Sequence, residues 1–367
     1  LSITLNNTTQ FVNPYAGQKL IPSSPFPYTA NLSNPTFTQN ATFAGIRPFT
    51  KAIPYVQQFN LTIEQQWGSN WSGRMAYVGN LGRHFYINRD QNSPVFSSTA
   101  TTANASQRRP YFNQGYTSAI SMLDPTDNSN YNGLQLTVTR RLLHNFSFQG
   151  FYVWSKAMDD LSADPGSATD FSPSDQYDIG RDYGLSTTDM PQRFVASFIY
   201  ELPHIKRWGL VGKEVLNGWQ INGIETIATG NPFNVVSNKD SNLDTITTGD
   251  RPNVTGDPRI SGRRSTSARA AQFFVTSDYT QVPAGTPFGN SPRNPIIGPG
   301  TVNTDLSAFK RFALYDRLNI LFRAESFNTF NHTNLNNPNG TVTSAAFGTI
   351  TGAAQARVMQ FALKLEF

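Results

Sequence analysis

Residues 357–367 read RVMQFALKLEF and end the sequence on an aromatic side chain. Taken two at a time, Arg357, Met359, Phe361, Leu363, Leu365 and Phe367 share one face, and Val358, Gln360, Ala362, Lys364 and Glu366 share the other. The first face is almost wholly apolar. The second carries an amide, an ammonium and a carboxylate. A period of two belongs to a β-strand whose two sides meet different surroundings. One such strand suits the edge of a soluble β-sandwich as well as a membrane wall, so the decision rests on the rest of the chain.

The same period recurs upstream. In YVQQFNLTIEQQW, residues Tyr55, Phe59, Leu61, Ile63 and Trp67 lie opposite Gln58, Asn60, Thr62, Glu64 and Gln66, with Gln57 and Gln65 as polar exceptions on the apolar side. After a GSN turn, Trp71, Met75 and Tyr77 share a side. Leu134, Leu136 and Val138 then oppose Gln135, Thr137 and Thr139. Phe146, Phe148, Tyr152 and Trp154 align, as do Phe194, Ala196, Phe198, Tyr200 and Leu202. GWQINGIETIATG alternates more weakly. Leu318, Ile320, Phe322 and Ala324 oppose Asn319, Arg323 and Glu325, and LSITLNN at the start supplies one further candidate strand.

Composition agrees with this pattern. Charged residues are only 14% of the chain, against about 25% in ordinary soluble domains. Aromatic residues reach 13%, led by 27 Phe and 14 Tyr. Mean hydropathy is nevertheless negative, and no apolar run approaches the roughly 20 residues of a membrane helix. A membrane barrel has this bulk character because its lumen and loops are polar. The net charge of +5 is scattered rather than striped, which argues against a nucleic-acid footprint. The chain has no Cys, so disulfides and thiolate metal sites are excluded.

The connections alternate in length. Short links join Trp67 to Trp71, Arg141 to Phe146 and Leu314 to Arg317, and an intermediate one joins His204 to Asn217. Between them lie long segments at 82–130, 158–190, 230–302 and 332–354, rich in Gly, Pro, Asn, Ser and Asp. Short turns at one rim and long loops at the other describe an all-β, antiparallel up-and-down transmembrane β-barrel. Residues 55–367 are expected to form part of such a barrel, about nine or ten strands of a larger one. Residues 1–54 would supply a strand and an extracellular loop.

Energetics point the same way. A charge on the lipid face near mid-membrane costs on the order of 2–4 kcal/mol, and Glu64, Arg323 and Glu325 fall opposite the apolar rows. Arg323 and Glu325, two residues apart on one face, are expected to pair in the lumen. Tyr55, Trp67, Trp71, Tyr131, Trp154 and Tyr200 sit near strand ends, where aromatic girdles meet the two interfaces.

The order and spacing of YVQQFNLTIEQQW…AYVGNLGRH, YNGLQLTVTRR…YVWSKAMDD, MPQRFVASFIYELP, NGWQINGI…TGNPF, GNSPRNPIIGPG…DLSAFKRF, LFRAESFNTFNHTNLNNP and FGTITGAAQARVMQFALKLEF resemble the Oar-like TonB-dependent receptors of the bacterial outer membrane. That resemblance implies a barrel of roughly 22 strands enclosing a plug, driven through a TonB-contacting segment near the N-terminus. This chain contains no plug-like region or TonB segment, so it is expected to be the C-terminal piece of a longer protein. The resemblance also implies a C-terminal assembly signal read by the barrel-insertion machinery. Gln360 matches its polar position, Leu365 and Phe367 match its hydrophobic positions, and Ala362 stands where Gly is usual. An exposed strand edge with an apolar face can template pairing with another sheet edge, which gives the signal a physical basis.

Other chemistry finds little support. Asp159, Asp160, Asp164, Asp170, Asp175, Asp178 and Asp182 are oxygen donors of the kind calcium takes, but their spacing matches no EF-hand. A solvated or ligand-contacting acidic surface is the better reading. His84, His144, His204 and His332 form no His-x-x-x-His pair, and neither a nucleophile elbow nor a Walker loop occurs. The expectation is therefore a non-enzymatic chain without cofactors, surrounded by outer-membrane lipid. With its plug, the complete receptor would take up a scarce small molecule, peptide or oligosaccharide captured by the long loops. The alternatives are a passive porin or structural surface barrel, and then a secreted carbohydrate-binding β-sandwich.

Overall fold

The computed structural model describes residues 43–46, 52–162, 173–204, 209, 215–247, 249–283, 285–315 and 318–367. Nine long strands appear in chain order: β1 (Tyr55–Trp67), β2 (Trp71–Asp90), β3 (Ile120–Leu143), β4 (Phe146–Asp159), β5 (Gln192–Glu201), β6 (Trp219–Ala228), β7 (Thr301–Tyr315), β8 (Leu318–Phe327) and β9 (Val358–Glu366). Each pairs antiparallel with its neighbours in sequence, so β1 to β9 follow one another across a single sheet. The chain is thus an all-β meander. Among the described residues β1 and β9 do not pair with each other, and the sheet is open rather than closed.

Local sequence explains the tight hairpins. His144 and Asn145 join β3 to β4 with φ of 51° and 64°, the left-handed pair that a two-residue turn needs to match strand twist. Asn tolerates this conformation better than most residues because its side chain can bond locally. Gly68, at φ 59°, opens the turn between β1 and β2.

Register decides which rows share a face, because directly opposed residues point the same way. Ile63 opposes Met75, Met75 opposes Leu136, Leu136 opposes Tyr152, Tyr152 opposes Phe194, and Phe194 opposes Ile227. Farther along, Leu306 opposes Ser326 and Ser326 opposes Met359; Lys310 opposes Phe322 and Phe322 opposes Leu363. The apolar rows of all nine strands therefore fuse into one continuous face. Glycines leave room on it for neighbouring rings. A Cβ on Gly79 would lie 2.3 Å from the ring of Phe59, and one on Gly73 would lie 2.5 Å from that of Trp67.

The opposite face carries Gln58, Asn60, Thr62, Glu64, Arg74, Gln135, Thr137, Gln149, Arg193, Asn222, Asp305, Arg323, Glu325, Gln360 and Lys364. The greasy rows do not meet one another across a dry interior. Leu61, Phe361 and Leu363 are 67%, 67% and 73% exposed, an arrangement that soluble monomers avoid at this extent. Hydrocarbon is the medium that makes it favourable.

The rims differ sharply. Connections at 68–70, 144–145, 202–218 and 316–317 lie at one end of the strands, and those at 91–119, 160–191, 229–300 and 328–357 lie at the other. Long and short links never mix, as an up-and-down barrel wall requires. The extents differ from the sequence reading. Pairing of β2 with β3 continues to Asp90 opposite Ser121, so the segment expected at 82–130 shrinks to 91–119. These two strands, of 20 and 24 residues, are about twice the 9–11 residues that span hydrocarbon, so the hairpin stands proud of the sheet. A bulge interrupts its register between Gly82 and Phe85, with His84 at φ 61°. The expected connections at 158–190, 230–302 and 332–354 become 160–191, 229–300 and 328–357.

Within residues 1–54, the LSITLNN strand lies outside the described residues. The described part, Phe43–Ile46, runs parallel to residues 120–123 of β3. Parallel pairing is absent from the sequence reading, since four residues carry too little alternation to reveal a partner.

Candidate functional site

The long connections are not separate loops. They pack into a layer with its own core, in which Phe233, Val235, Phe274, Tyr279 and Ile296 are buried. Phe347, from the connection before β9, meets Phe274 edge-on at 5.2 Å. Backbone bonds join the same two connections: Val342 N donates to Val236 O at 3.0 Å, and Phe273 N donates to Gly348 O at 2.8 Å. Aromatic residues bury large apolar areas, so this cluster can order segments that have little regular structure.

Buried ion pairs attach the layer to the sheet. Arg293 Nη1 meets Asp159 Oδ1 at 2.6 Å, at the last residue of β4, while its Nη2 donates to Ser162 Oγ at 2.5 Å. Arg251 pairs with Asp182, and its Nε donates to Ser291 O at 2.9 Å. Ser174 N donates to the second oxygen of Asp182 at 2.7 Å. Arg89 pairs with Asp124 at 2.8 Å across β2 and β3, and Arg109 returns from the 91–119 connection to Asp90 at 2.9 Å. A buried charge is tolerated when paired and hydrogen-bonded; Arg293–Asp159 and Arg109–Asp90 tie the layer to the sheet, Arg251–Asp182 joins two connections within it, and Arg89–Asp124 braces the β2–β3 hairpin.

Burial also perturbs carboxylates here. Desolvation pushes Asp250 up to about 7 and Asp244 up to about 6, outweighing the backbone amides of Ser241 and Ile246 that donate to them. Desolvation likewise raises Asp160, which accepts two bonds from Asn128.

The acidic stretch resolves into these roles. Asp159 and Asp182 are held by arginines and Asp160 by Asn128, while Asp164 and Asp170 lie outside the described residues. Among the described residues no group of three His, Asp or Glu side chains is placed to hold a metal ion. His332 Nδ1 lies 3.0 Å from Asn334 Oδ1, and the ring of His84 packs 5.8 Å from that of Tyr55.

The residues singled out near the C-terminus are neighbours in space. Arg323 Nη2 meets Glu325 Oε1 at 2.6 Å on the polar face, and Gln360 donates to the other Glu325 oxygen. The Arg323 guanidinium also lies 5.1 Å from the ring centroid of Phe309. Ala362 opposes Arg323 and Leu365 opposes Ile320, which leaves Leu365 and Phe367 in the apolar row, exposed. Among the described residues the other edge of β9 is unpaired.

Two details of the sequence reading change. Tyr131 opposes Asn80 and Ala157 and so belongs to the polar face; its hydroxyl covers the position of a Gly133 Cβ at 2.6 Å, and it is no girdle residue. Tyr55, Trp67, Trp71, Trp154 and Tyr200 do lie on the apolar face. Glu225 and Lys310, whose charges the alternation alone does not place, also lie on that face. Glu225 opposes Thr304, whose hydroxyl donates to it. Lys310 reaches Asn217 O and lies over the rings of Trp219 and Phe312 at 5.7 and 4.8 Å. Cation–π contact and a carbonyl together compensate its ammonium. The weak alternation of β6 was the available signal for Glu225.

An open meander with one greasy face, one polar face and rims of unequal connections is the wall of an outer-membrane β-barrel. The chain belongs to the outer membrane β-barrel domain family, whose model matches residues 1–360. Among solved structures it is similar to the outer membrane transporter YddB from Escherichia coli, at 11% identity over 86% of this chain and 33% of that one, with a TM-score of 0.46. It is also similar to the FrpB iron transporter from Neisseria meningitidis (F3-3 variant), at 11% identity over 89% of this chain and 33% of that one, TM-score 0.42. FpvA of P. aeruginosa, in a structure bound to heterologous pyoverdines, is 10% identical over 85% and 27% of the two chains, TM-score 0.41. The chain spans about a third of the length of YddB and FrpB. The comparison with curated proteins gave no match.

Proposed function

We propose that this chain is the C-terminal part of the barrel of an Oar-like, TonB-dependent receptor that takes up a scarce substrate. The observation that carries the reading is the single ordered layer at the rim of long connections. A passive pore needs no such construction, whereas a receptor must present a preformed surface, because ordering loops at the moment of binding costs affinity. The order of motifs that resembles the Oar-like receptors supports the same conclusion.

In this reading the long connections face outward and contact the substrate, a small molecule, peptide or oligosaccharide. The polar face lines the lumen, where Arg323 and Glu325 form an ion pair against the plug side. Gln360, Ala362, Leu365 and Phe367 form the signal for the insertion machinery, since β9 offers that machinery an unpaired edge with a greasy face. Energy comes from the TonB complex through a segment upstream of these strands.

The test is uptake of candidate substrates by cells carrying the intact gene, with and without collapse of the inner-membrane proton gradient. Loss of uptake on collapse, and loss of surface binding on deleting residues 91–119, are expected. Gradient-independent permeation, scaling with solute size, would make the chain a passive porin instead.

A further inference from the structure

On the apolar face, next to the rim of long connections, lies a groove of about 740 Å³ lined by Tyr77, Leu134, Trp154, Met158, Leu185 and Ile297. Its sheet residues are members of the lipid-facing rows, since Leu134 opposes both Tyr77 and Trp154. Leu185 extends the same face beyond the sheet, because it opposes Met158 in a short pairing of residues 184–185 with β4. Ile297 closes the groove from the 229–300 connection.

Leu185 and Ile297 also line a second hollow, of about 380 Å³, which contains Arg259, Arg264 and Arg269. The two cavities therefore adjoin at these residues, with the first apolar and the second basic. Arg259 is held by Asp257 at 2.8 Å. Arg264 donates to Ala268 O at 2.6 Å and Arg269 lies 5.8 Å from the ring centroid of Phe273, but among the described residues neither meets a carboxylate. Lys156 and Asp189 line the groove at its polar edge, where the ammonium and the carboxylate offset each other, so the net basic charge lies in the second hollow.

We propose that groove and hollow together bind one phosphorylated membrane lipid. An acyl chain lies along Trp154 and Leu134, and the headgroup phosphate sits among Arg264, Arg269 and Arg259. The order of the parts along the strand axis, hydrocarbon face, then rim, then arginines, reproduces the order of parts in such a lipid. Guanidinium groups suit phosphate because their planar fork donates two parallel bonds. Both volumes fall in or near the range of about 300–1,000 Å³ common to ligand sites. A free anion would have no use for the groove, and a purely apolar belt of lipid would have none for the arginines. The proposal needs only that the apolar face meets lipid. It stands apart from uptake, which runs through the lumen on the other side of the wall.

The test takes protein extracted from outer membranes in mild detergent, stripped of lipid, and followed by native mass spectrometry. A synthetic diphosphorylated glycolipid, its dephosphorylated counterpart and inorganic phosphate are added in separate titrations. One tightly bound phosphorylated lipid is expected, with at least tenfold weaker binding of the dephosphorylated form. The R264Q/R269Q double variant should lose tenfold or more in affinity for the phosphorylated lipid, and R74Q, on the polar face, should lose none. Retention of a heat-shifted band in gels shows that each variant is folded; if the double variant is not, the single variants R264Q and R269Q replace it, each expected to weaken binding of the phosphorylated lipid, and undiminished binding in both would overturn the proposal. Equal binding of both lipids, or full competition by inorganic phosphate alone, would overturn the proposal, as would equal loss in R74Q. Failure of uptake in cells would leave it intact.

Discussion

Leu136 and Gln135 are adjacent in β3 but belong to opposite faces, which makes them a paired test of the wall. Leu136 sits between Met75 and Tyr152 in an unbroken apolar row, while Gln135 opposes Ala76 and Val153 on the polar side. Arginine at either position keeps backbone pairing and has reasonable strand geometry, so the difference reports the medium each face meets. On the lipid face near mid-membrane the charge costs about 2–4 kcal/mol, and a lumen position tolerates it. That difference corresponds to roughly 30- to 900-fold in the folding equilibrium. Urea unfolding of the protein in lipid vesicles, followed by tryptophan fluorescence and by the heat-modifiable gel shift, measures it directly. Leu136→Arg should move the midpoint strongly to lower urea, and Gln135→Arg should barely move it. If Gln135→Arg is the more damaging, or the two are equal, the assignment of faces is wrong and the barrel wall with it.

Three further outcomes follow from the same geometry. Replacing Arg293 by Ala strands Asp159 in a largely buried position, and removing one partner of a buried pair costs on the order of 3–5 kcal/mol; limited proteolysis should then cut the 229–300 connection while the heat-shifted barrel band survives. The pH dependence of the layer should be inverted relative to most acidic clusters. Asp250 and Asp244 titrate at about 7 and about 6 in the folded protein against an ordinary 3.8, so the folded layer holds more protons between these values. Its stability is greatest at or below about pH 4 with respect to these groups and declines as pH rises toward 7. Protease resistance of the layer should be higher at pH 5 than at pH 8, and Asp250→Asn should reduce the contrast. Finally, Phe367→Ala should lower outer-membrane accumulation more than substitutions in the long connections do; a normal amount of heat-modifiable barrel in the membrane fraction would remove Phe367 from the assembly signal.

The sequence by itself determined where the strands run and which residues of each share a side, because side-chain alternation is a local property of extended backbone. It also revealed the rule of short and long connections, including the His144–Asn145 turn. Register was beyond it. Only pairing between strands shows that nine separate greasy rows form one face, that Tyr131 faces the polar side, and that Glu225 and Lys310 stand among apolar neighbours with compensating contacts. The layer at the rim was least legible. Phe274 meets Phe347, and Arg293 meets Asp159, across stretches of chain with no period to announce them. Such contacts arise from long-range packing of irregular backbone, where burial and charge pairing, rather than any repeat in the chain, select the partner.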